Sequence, residues 1–475
     1  MSRIGAERLG PLDAMFLYGE GPESMMHVAS LMTFTLPEDA PPTYLRDLVD
    51  ETCTGRDVQP PWNRKLRDHR LLASPFQSWV IDERLDLDYH VRRSALASPG
   101  GERELGVLVS RLHSHQLDFS RPPWELHVIE GLERRRFALY VKIHHSLVDG
   151  YTAMKLLQRG LSPDPADRAT PLFFAAPAPE RAPRDDADGD GDGGSGLLAD
   201  LETLTREVGR QTRSALTLGR RVVEPLVRRR QFADLVATSQ APPSILNRRV
   251  GRNRRFATQQ YSLTLLKELG RQRSATVNDV LLTVIGGGLR TWLGELGELP
   301  DAPLIAFVPV NVRPKDDPGG GNAVGAILVR MGTDVEDPVA RLEAVTASTR
   351  AAKAQLQGMT REAVLAYSGM LMAPSGLQSL GAMAGLRPTT PLTFNVTVSN
   401  VPGPREPLHL RGSRLEAWYP VSIPGHGFAL NVTIASYVDT ANLGFVGDRD
   451  ELPRLQRLAV HTGDALRALE RALGG

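Results

Sequence analysis

The chain has 475 residues, 41% of them hydrophobic, and a formal net charge of +1 at pH 7. This length exceeds one ordinary hydrophobic core and predicts two domains, while the near-neutral charge argues against a general nucleic-acid-binding protein. Cys53 is the single cysteine, which excludes an internal disulfide framework and a cysteine-rich metal site. We interpret Cys53 as an ordinary thiol and not as a nucleophile. Charged residues precede any apolar run at the N-terminus, so we expect a cytoplasmic protein without a secretory signal.

The first part of the chain, residues 1–162, predicts one α/β sandwich domain. Apolar residues at a spacing of two indicate strands, and apolar residues at helical spacing indicate helices. The predicted elements are a strand over 26–36, a helix over 43–54, a strand and turn over 77–89, a helix over 104–115, and an antiparallel pair over 125–131 and 136–143.

The motif His144-His145-Ser146-Leu147-Val148-Asp149-Gly150 directly follows the last of these strands. A histidine is the usual group for taking a proton from a hydroxyl near neutral pH. The aspartate four residues later can fix the backbone or pair with an arginine, and Gly150 allows a tight turn or a close approach of substrate. Helical spacing resumes over 151–159. The alternative, a pair of merely buried strand-end histidines, is weak for the complete string.

Residues 163–255 predict a linker between two domains. Residues 163–196 are rich in Pro, Ala, Asp and Gly and cannot bury enough apolar surface to fold, so we expect disorder there. Residues 197–236 predict a long helix with one apolar face and one arginine-rich face. This helix could be a solvated crossing between domains or a basic amphipathic surface that attracts anionic lipid, and nucleic-acid binding is far less favoured.

Residues 256–475 predict the second domain. Helices are expected over 278–295, with Asn278 as the cap, over 337–356 and over 453–473, and strands over 304–312, 324–331, 393–399, 415–421, 428–437 and 442–446. The glycines at 286–288 indicate close helix packing and not a phosphate-binding loop. The uncharged stretch 363–386 is long enough to span a bilayer, but its proline and serines favour two short packed helices. A wall of an acyl tunnel or a membrane-dipping patch is the functional alternative.

The HHxxxDG string resembles the active-site motif of CoA-dependent acyltransferases, which include chloramphenicol acetyltransferases and peptide-synthetase condensation domains. Within this superfamily the chain is similar to the bacterial wax ester synthase/diacylglycerol acyltransferase family. The further markers of that family are Pro11-Leu12-Asp13-Ala14-Met15-Phe16-Leu17, Pro123-Trp124-Glu125-Leu126, Asn278-Asp279-Val280 and Ser399-Asn400-Val401-Pro402-Gly403-Pro404. One departure is Pro122-Pro123-Trp124, where the family usually has Pro-Leu-Trp.

The resemblance implies two chloramphenicol-acetyltransferase-like sandwich domains, joined by a crossover segment, with a tunnel between them. It implies that acyl-CoA enters from one side and diacylglycerol or a long-chain alcohol from the other, with no cofactor and no metal. His145 would be the general base of a direct acyl transfer. We expect the protein to associate peripherally with the inner membrane face or with lipid droplets.

The remaining site residues follow from the same resemblance and from charge. Asp149 is expected to hold the structure by pairing with an arginine, because a carboxylate aimed at the reacting thioester would oppose the developing oxyanion. The two candidate arginines are Arg64 and Arg313. His144, which belongs with His145 and Asp149 to the predicted catalytic group, is expected to shape the loop and the pocket. Gly150, Asn278, Asp279, Ser399 and Asn400 are expected to support the site or bind substrate. A condensation-type enzyme with an amine acceptor and a non-catalytic lipid-binding protein stay open as alternatives.

Overall fold

The computed structural model describes most of the chain. The described residues are 7–54, 57–70, 77–177, 240–311, 324–357 and 393–474, together with 72, 74, 236, 359, 363–364 and 367–372.

A six-stranded sheet forms the centre of the first domain. Its strands are β2 (His27–Thr35), β5 (Val91–Ala95), β6 (Trp124–Leu132), β7 (Arg136–His144), β12 (His409–Leu410) and β13 (Ser413–Val421). They lie in the order β12-β13-β2-β7-β6-β5, and β5 and β6 run parallel. A smaller sheet has the order β1 (Glu7–Arg8), β4 (Ser78–Ile81), β3 (Arg64–Leu66).

The first domain has five helices among the described residues, and the sequence predicted three of them. The five are α1 (Pro11–Tyr18), α2 (Tyr44–Thr54), α3 (Leu87–His90), α4 (Glu102–His113) and α5 (Gly150–Gln158). The predicted helices over 43–54, 104–115 and 151–159 are therefore confirmed to within two residues at each end.

The two faces of β7 bury different kinds of side chain. Phe137 and Val141 belong to the large apolar core of the first domain, as the spacing of two predicts. Tyr140 and Lys142 point to the opposite face, and Lys142 reaches the carbonyl oxygen of Leu112 on α4. Strand β2 runs antiparallel to β7. The end of β7 therefore lies between an apolar layer and a layer that contains buried polar groups.

The second domain is built on another six-stranded sheet. Its strands are β8 (Arg254–Ser262), β9 (Ile305–Asn311), β10 (Val324–Arg330), β11 (Val396–Val401), β14 (Leu430–Tyr437) and β15 (Thr440–Asp448), in the order β10-β9-β11-β14-β15-β8. Its helices are α6 (Leu263–Gln272), α7 (Val277–Leu296), α8 (Pro338–Leu356) and α9 (Leu455–Gly474). Two mixed α/β halves, each built on one six-stranded sheet, agree with the predicted fold class.

The glycine run inside α7 packs tightly, as predicted. A Cβ atom added to Gly286 would lie 2.1 Å from the carbonyl oxygen of Met331, and one added to Gly288 would lie 2.8 Å from the backbone nitrogen of Thr462. Glycine is required because no side chain fits where two backbones approach this closely. The run serves the packing of the second domain.

Strand β8 connects the two domains through side chains of α4. The hydroxyl of Ser110 accepts a hydrogen bond from the backbone N–H of Phe256 across 2.9 Å. The hydroxyl of Ser114, one turn later, accepts one from the N–H of Arg254 across 2.8 Å. Helix α4 therefore satisfies backbone groups on the outer edge of the second sheet.

The predicted domain boundaries need two corrections. Residues 163–177 are not a disordered linker, because Phe173 and Phe174 are buried in the first core. Residues 409–421 do not belong to the second domain, because β12 and β13 complete the first sheet and β13 pairs with β2. Composition misled the first prediction, and no local signal shows which of two sheets a strand will join.

One further prediction is wrong, and two others mostly concern residues that the structure does not describe. Helix α7 is capped by Thr276, and not by Asn278, because the Thr276 side chain accepts from the N–H of Asp279. The predicted helix over 197–236 lies outside the described residues apart from position 236, and so does most of the stretch 363–386. None of the helices in the described ranges combines the length and the apolar character that crossing a membrane requires.

Candidate active site

His145 lies at the corner where β7 ends and the motif loop begins. Its backbone N–H donates to the carbonyl oxygen of Met26 across 2.9 Å, which fixes the corner against the residue that precedes β2. Its imidazole stacks on the ring of Phe16 in α1, with the ring centroids 3.9 Å apart and the planes at 22°. The residue remains partly exposed. Helix α1 therefore covers one face of a histidine that is still accessible.

Burial keeps the imidazole of His145 neutral. It lowers the pKa of His145 from 6.5 to about 4, while the charge of Asp149 raises this pKa, His144 lowers it, and a contact of the ring with its own backbone raises it least. The Nδ1 atom is buried and has no other residue as a hydrogen-bond partner within the described part of the chain. A neutral imidazole keeps one nitrogen lone pair with which it can accept a proton.

His144 is enclosed where His145 is accessible. Its Nδ1 atom lies 2.6 Å from the hydroxyl oxygen of Ser146, and its Nε2 atom lies 3.4 Å from a carboxylate oxygen of Glu20. The side chain is only 1% exposed, and the ring of Phe119 packs edge-on against it. These contacts hold His144 within the loop, and its expected part in shaping the pocket stays a prediction.

Asp149 is the N-cap of α5. Its carboxylate accepts hydrogen bonds from the backbone N–H and from the hydroxyl of Thr152, each across 2.8 Å. This contact explains why a helix starts immediately after the motif. Burial raises the pKa of Asp13 in α1, and the negative charge of Asp149 raises it further. The described contacts of Asp149 are therefore helix-capping contacts, and the predicted arginine partner stays a prediction.

Gly150 is the first residue of α5 and borders open space. A Cβ atom at this position would meet no atom within 4 Å. The fold therefore does not require glycine for packing here. The φ of Gly150 lies outside the left-handed region, so backbone conformation does not require glycine either, and a close approach of substrate stays a prediction.

The second domain reaches this site through the segment that follows β11. Ser399 and Asn400 lie at the end of that strand, and their backbones pair with β14. Three residues after Asn400, a Cβ atom at Gly403 would lie 3.3 Å from the sulfur of Met154 in α5. The N–H of Gly403 also donates to the hydroxyl of Ser436 across 2.9 Å. The structure therefore places this segment against the helix that Asp149 caps.

Comparisons with known proteins identify the family. Residues 9–281 match the model of the wax ester synthase/diacylglycerol acyltransferase catalytic domain, and residues 320–470 match the C-terminal domain of the same family. The chain belongs to the wax ester synthase/diacylglycerol acyltransferase family. It is an acyltransferase of that family.

Individual relatives agree over almost the whole chain. A Mycobacterium tuberculosis protein, named as a putative diacylglycerol O-acyltransferase, is 56% identical and covers 99% of this chain and 98% of its own. The O-acyltransferase WSD of Acinetobacter baylyi is 36% identical, with 97% and 96% covered. The solved wax ester synthase/diacylglycerol acyltransferase of Marinobacter aquaeolei VT8 superposes with a TM-score of 0.78 at 35% identity, with 99% and 100% covered.

More distant structures share the fold. The first condensation domain of the calcium-dependent antibiotic synthetase superposes with a TM-score of 0.58 at 13% identity, covering 100% of this chain and 98% of its own. This likeness supports the predicted relation to condensation domains at the level of the fold.

Several family markers acquire a physical role in the structure. Phe16 covers His145. The only sequence signal for Phe16 is that it belongs to the family marker at residues 11–17. The indole N–H of Trp124 donates to the carbonyl oxygen of Trp62 across 2.7 Å, and Glu125 forms a buried ion pair with Lys142 at 3.2 Å. Glu20, which supports His144, carries no sequence signal because it lies 124 residues away along the chain.

The structure describes the positions of three further predicted site residues, Asp279, Asn278 and Arg64. Asp279 belongs to the capping box of α7, where its carboxylate accepts from the N–H and hydroxyl of Thr276. Asn278 lies in the same first turn. Arg64 lies on β3 opposite Ile81, and Arg313 lies outside the described residues. The described contacts of Asp279 give helix capping as its role in the second domain.

Two alternative chemistries gain no support. Burial and nearby aspartates, Asp88 first among them, raise the pKa of Cys53 to about 11, which disfavours a thiolate nucleophile. Across the residues that the structure describes, no three His, Cys, Asp or Glu side chains come together as a metal-binding group.

Proposed function

We propose that this protein transfers a fatty acyl group from acyl-CoA to the hydroxyl of diacylglycerol, of a long-chain fatty alcohol, or of both. His145 removes the acceptor's hydroxyl proton, and the oxygen attacks the thioester carbonyl carbon. The tetrahedral intermediate then breaks its carbon–sulfur bond, and the CoA thiolate takes the proton back from the imidazolium. The products are an ester and free CoA, and no covalent enzyme intermediate is needed.

One observation carries this proposal: an accessible, neutral histidine held rigidly at the end of a strand. Its backbone is fixed to Met26, one ring face is fixed by Phe16, and burial holds its pKa at about 4. Asp149 adds a negative charge that raises this pKa and so favours the imidazolium that forms during transfer. The names of the relatives support the choice of acceptors, since they include diacylglycerol acyltransferases and wax ester synthases.

The test combines an acceptor panel with one substitution. Purified protein is incubated with palmitoyl-CoA and a diacylglycerol, a long-chain alcohol or a long-chain amine, and the products are identified by mass. We expect ester products, and we expect His145→Ala to reduce turnover by about 10² to 10⁴, the usual contribution of a positioned acid or base. His69→Ala is the matched control, because His69 is exposed and lies outside the site.

The outcomes separate the alternatives. Amide as the main product would favour a condensation-type enzyme, and acyl-CoA binding without any product would favour a lipid-binding protein. Near-normal turnover of a folded His145→Ala protein would contradict the proposed mechanism.

We also propose that the protein binds membranes or lipid droplets peripherally through its arginine-rich segment. Arginines at 220, 221 and 228–230 lie beside an apolar stripe in the sequence, and each cation near an anionic surface contributes about 1 kcal/mol. Vesicle co-sedimentation should increase with anionic lipid and decrease with salt. Replacing these five arginines with glutamine should abolish most binding, and binding that ignores lipid charge would contradict the proposal.

A further inference from the structure

An arginine-rich cleft lies where α4 of the first domain meets β8 and the end of β15. Its volume is about 480 Å³. The positively charged side chains or histidines that line it are Arg111, His115, Arg252, Arg254, Arg255 and Arg449. Among the described residues, no aspartate or glutamate lines the cleft. Arg254 faces the carboxylate of Asp448, and Arg449 pairs with Asp450 across 2.9 Å. The other three guanidinium groups form no ion pair with a described residue, and their like charges favour an anion in the cleft.

The arginines of the cleft differ in how they are held. Arg254 is fixed: its side chain is 1% exposed, it lies 3.7 Å from the carboxylate of Asp448, and it donates to the carbonyl oxygen of Glu23 across 2.6 Å. Arg111 and Arg252 are exposed and form no ion pair with any described residue. The cleft therefore combines one buried, fixed arginine, Arg254, with two exposed arginines, Arg111 and Arg252. Guanidinium forks match the geometry of phosphate oxygens.

The cleft and the motif share structural elements. Gln116 lines the cleft and donates to one carboxylate oxygen of Glu20 across 2.9 Å. The other oxygen of Glu20 accepts the N–H of Met26 across 2.6 Å and lies 3.4 Å from His144. Met25 also lines the cleft. Glu20 therefore links the cleft residue Gln116 to His144 of the motif.

We propose that this cleft binds the phosphate groups of the acyl donor, the diphosphate and the 3′-phosphate of CoA. This inference rests on the proposed function, in that the donor is a CoA thioester. The pantetheine arm separates the thioester from the phosphates, so a phosphate site is expected near His145 but not beside it. Because the arginines come from both domains, the bound donor would also hold the two domains together. An anionic lipid headgroup offers the same phosphate chemistry, and the experiment distinguishes the two sources.

The experiment measures binding without turnover, on the full-length protein. Isothermal titration with CoA and with adenosine 3′,5′-bisphosphate is compared for the wild type, for Arg111→Gln/Arg252→Gln, and for the control Arg103→Gln/Arg271→Gln. The control arginines are exposed, and neither lines the cleft. We expect each cleft arginine to contribute about tenfold in affinity, so the cleft variant should bind both ligands about 100-fold more weakly. The control should bind like wild type.

A kinetic measurement gives a second readout. The wild type should favour palmitoyl-CoA over palmitoyl-N-acetylcysteamine, a thioester without phosphates, through a lower KM. The cleft variant should lose most of this discrimination. Vesicles containing phosphatidylglycerol form the remaining arm, in which the cleft variant should co-sediment like wild type.

The outcomes are distinguishable from failure of the proposed function. If the wild type binds CoA more tightly than the cleft variant, the cleft is supported as a CoA site even if the protein forms no ester. Undetectable CoA binding by the wild type, or equal binding by the wild type and the cleft variant, would overturn the inference while leaving the His145 mechanism standing. Loss of vesicle binding alone would assign the cleft to a lipid headgroup and would also overturn it.

Discussion

The two six-stranded sheets of this acyltransferase bury very different layers beneath their helices. Under α4, the first sheet encloses titratable groups: Tyr140 bonds to His113, and Lys142 forms an ion pair with Glu125. Under α7, the second sheet meets a glycine-lined helix and a large aliphatic and aromatic cluster. The buried Arg341 beside this helix donates to the carbonyl oxygens of Val335 and Glu336. The same architecture is thus a polar support for the motif in one half and a tightly packed scaffold in the other.

The comparison shows that buried charged groups of the first domain lie on the strand that leads into the motif. Lys142 and His144 occupy alternate positions of β7, so the strand that ends at the motif also carries the polar layer. Burying these groups is unfavourable unless each has a partner. The partners come from β6, from α4 and, for His113, from the carbonyl oxygen of Ser422 beyond β13. The contribution of β13 to the first sheet is therefore part of the support of the site.

The largest expected effect comes from breaking the buried ion pair. Although burial would raise the pKa of Glu125, His127 and Lys142 lower it to about 2, so Glu125 is charged. Glu125→Gln leaves the ammonium of Lys142, which is 1% exposed, without its partner. We expect a loss of about 3–5 kcal/mol in the free energy of unfolding, measured by urea denaturation.

Two variants control this prediction. Glu125→Gln/Lys142→Met removes both charges and should recover part of the loss, because no unpaired charge remains. Arg93→Gln breaks the more exposed pair with Glu130 on the same sheet, and it should have a much smaller effect. If Glu125→Gln alone were as stable as wild type, the polar layer would not depend on this ion pair.

The next effect tests the scaffold half. Gly286→Ala would place a Cβ atom 2.1 Å from the carbonyl oxygen of Met331, so backbone must move, and we expect a loss of about 1–3 kcal/mol. Gly294→Ala is the matched control on the same helix, because a Cβ atom there meets nothing within 4 Å. Its higher helix propensity should stabilise the protein by up to about 1 kcal/mol. Equal effects of the two variants would contradict the packing role of the glycine run.

The polar layer should also make the first half sensitive to acid. Burial lowers the pKa of His113 from 6.5 to about 3, with Arg254 and Lys142 adding to this and the bond to Ser422 opposing it. The folded state then binds fewer protons than the unfolded state between these values, so stability falls as pH decreases from 6.5. Each such histidine contributes up to about 1.4 kcal/mol per pH unit.

The measurement is the pH dependence of unfolding between pH 7.5 and 5. His113→Gln should reduce the slope by up to about 1.4 kcal/mol per pH unit, whereas the exposed His69→Gln should leave it unchanged. An unchanged slope in His113→Gln would show that His113 is not the acid-sensitive group.

The sequence predicted the elements better than their assembly. The spacing of apolar residues around Phe137 and Val141 was sufficient to predict β7, and the glycines at 286–288 were sufficient to predict close packing. Local patterns carry no information on which sheet a strand joins. The pairing of residues 409–421 with the first sheet could therefore not be predicted. For the same reason, the stacking of Phe16 on His145 and the contact of Glu20 with His144 required the structure.

The helix-capping contacts of Asp149 were not predicted from the sequence. We expected an arginine partner because a carboxylate aimed at the reacting thioester would oppose the developing oxyanion, and that partner stays a prediction. The described contacts of Asp149 are with Thr152 at the start of α5. Asparagine is as good an N-cap as aspartate, whereas alanine is not. We therefore expect Asp149→Ala to lose about 1 kcal/mol of stability and Asp149→Asn to lose little.

The two variants should nevertheless share an effect on the chemistry. Both remove a negative charge that raises the pKa of His145, so the acid limb of the pH–rate profile should move to lower pH in each. Thermal denaturation and kcat/KM between pH 4 and 8 measure the two effects separately. If Asp149→Asn melted as early as Asp149→Ala, the charge itself would hold the loop, and a buried arginine partner would again be the better explanation. If Asp149→Asn keeps its stability while its profile shifts, Asp149 acts on the helix through hydrogen bonds and on His145 through charge.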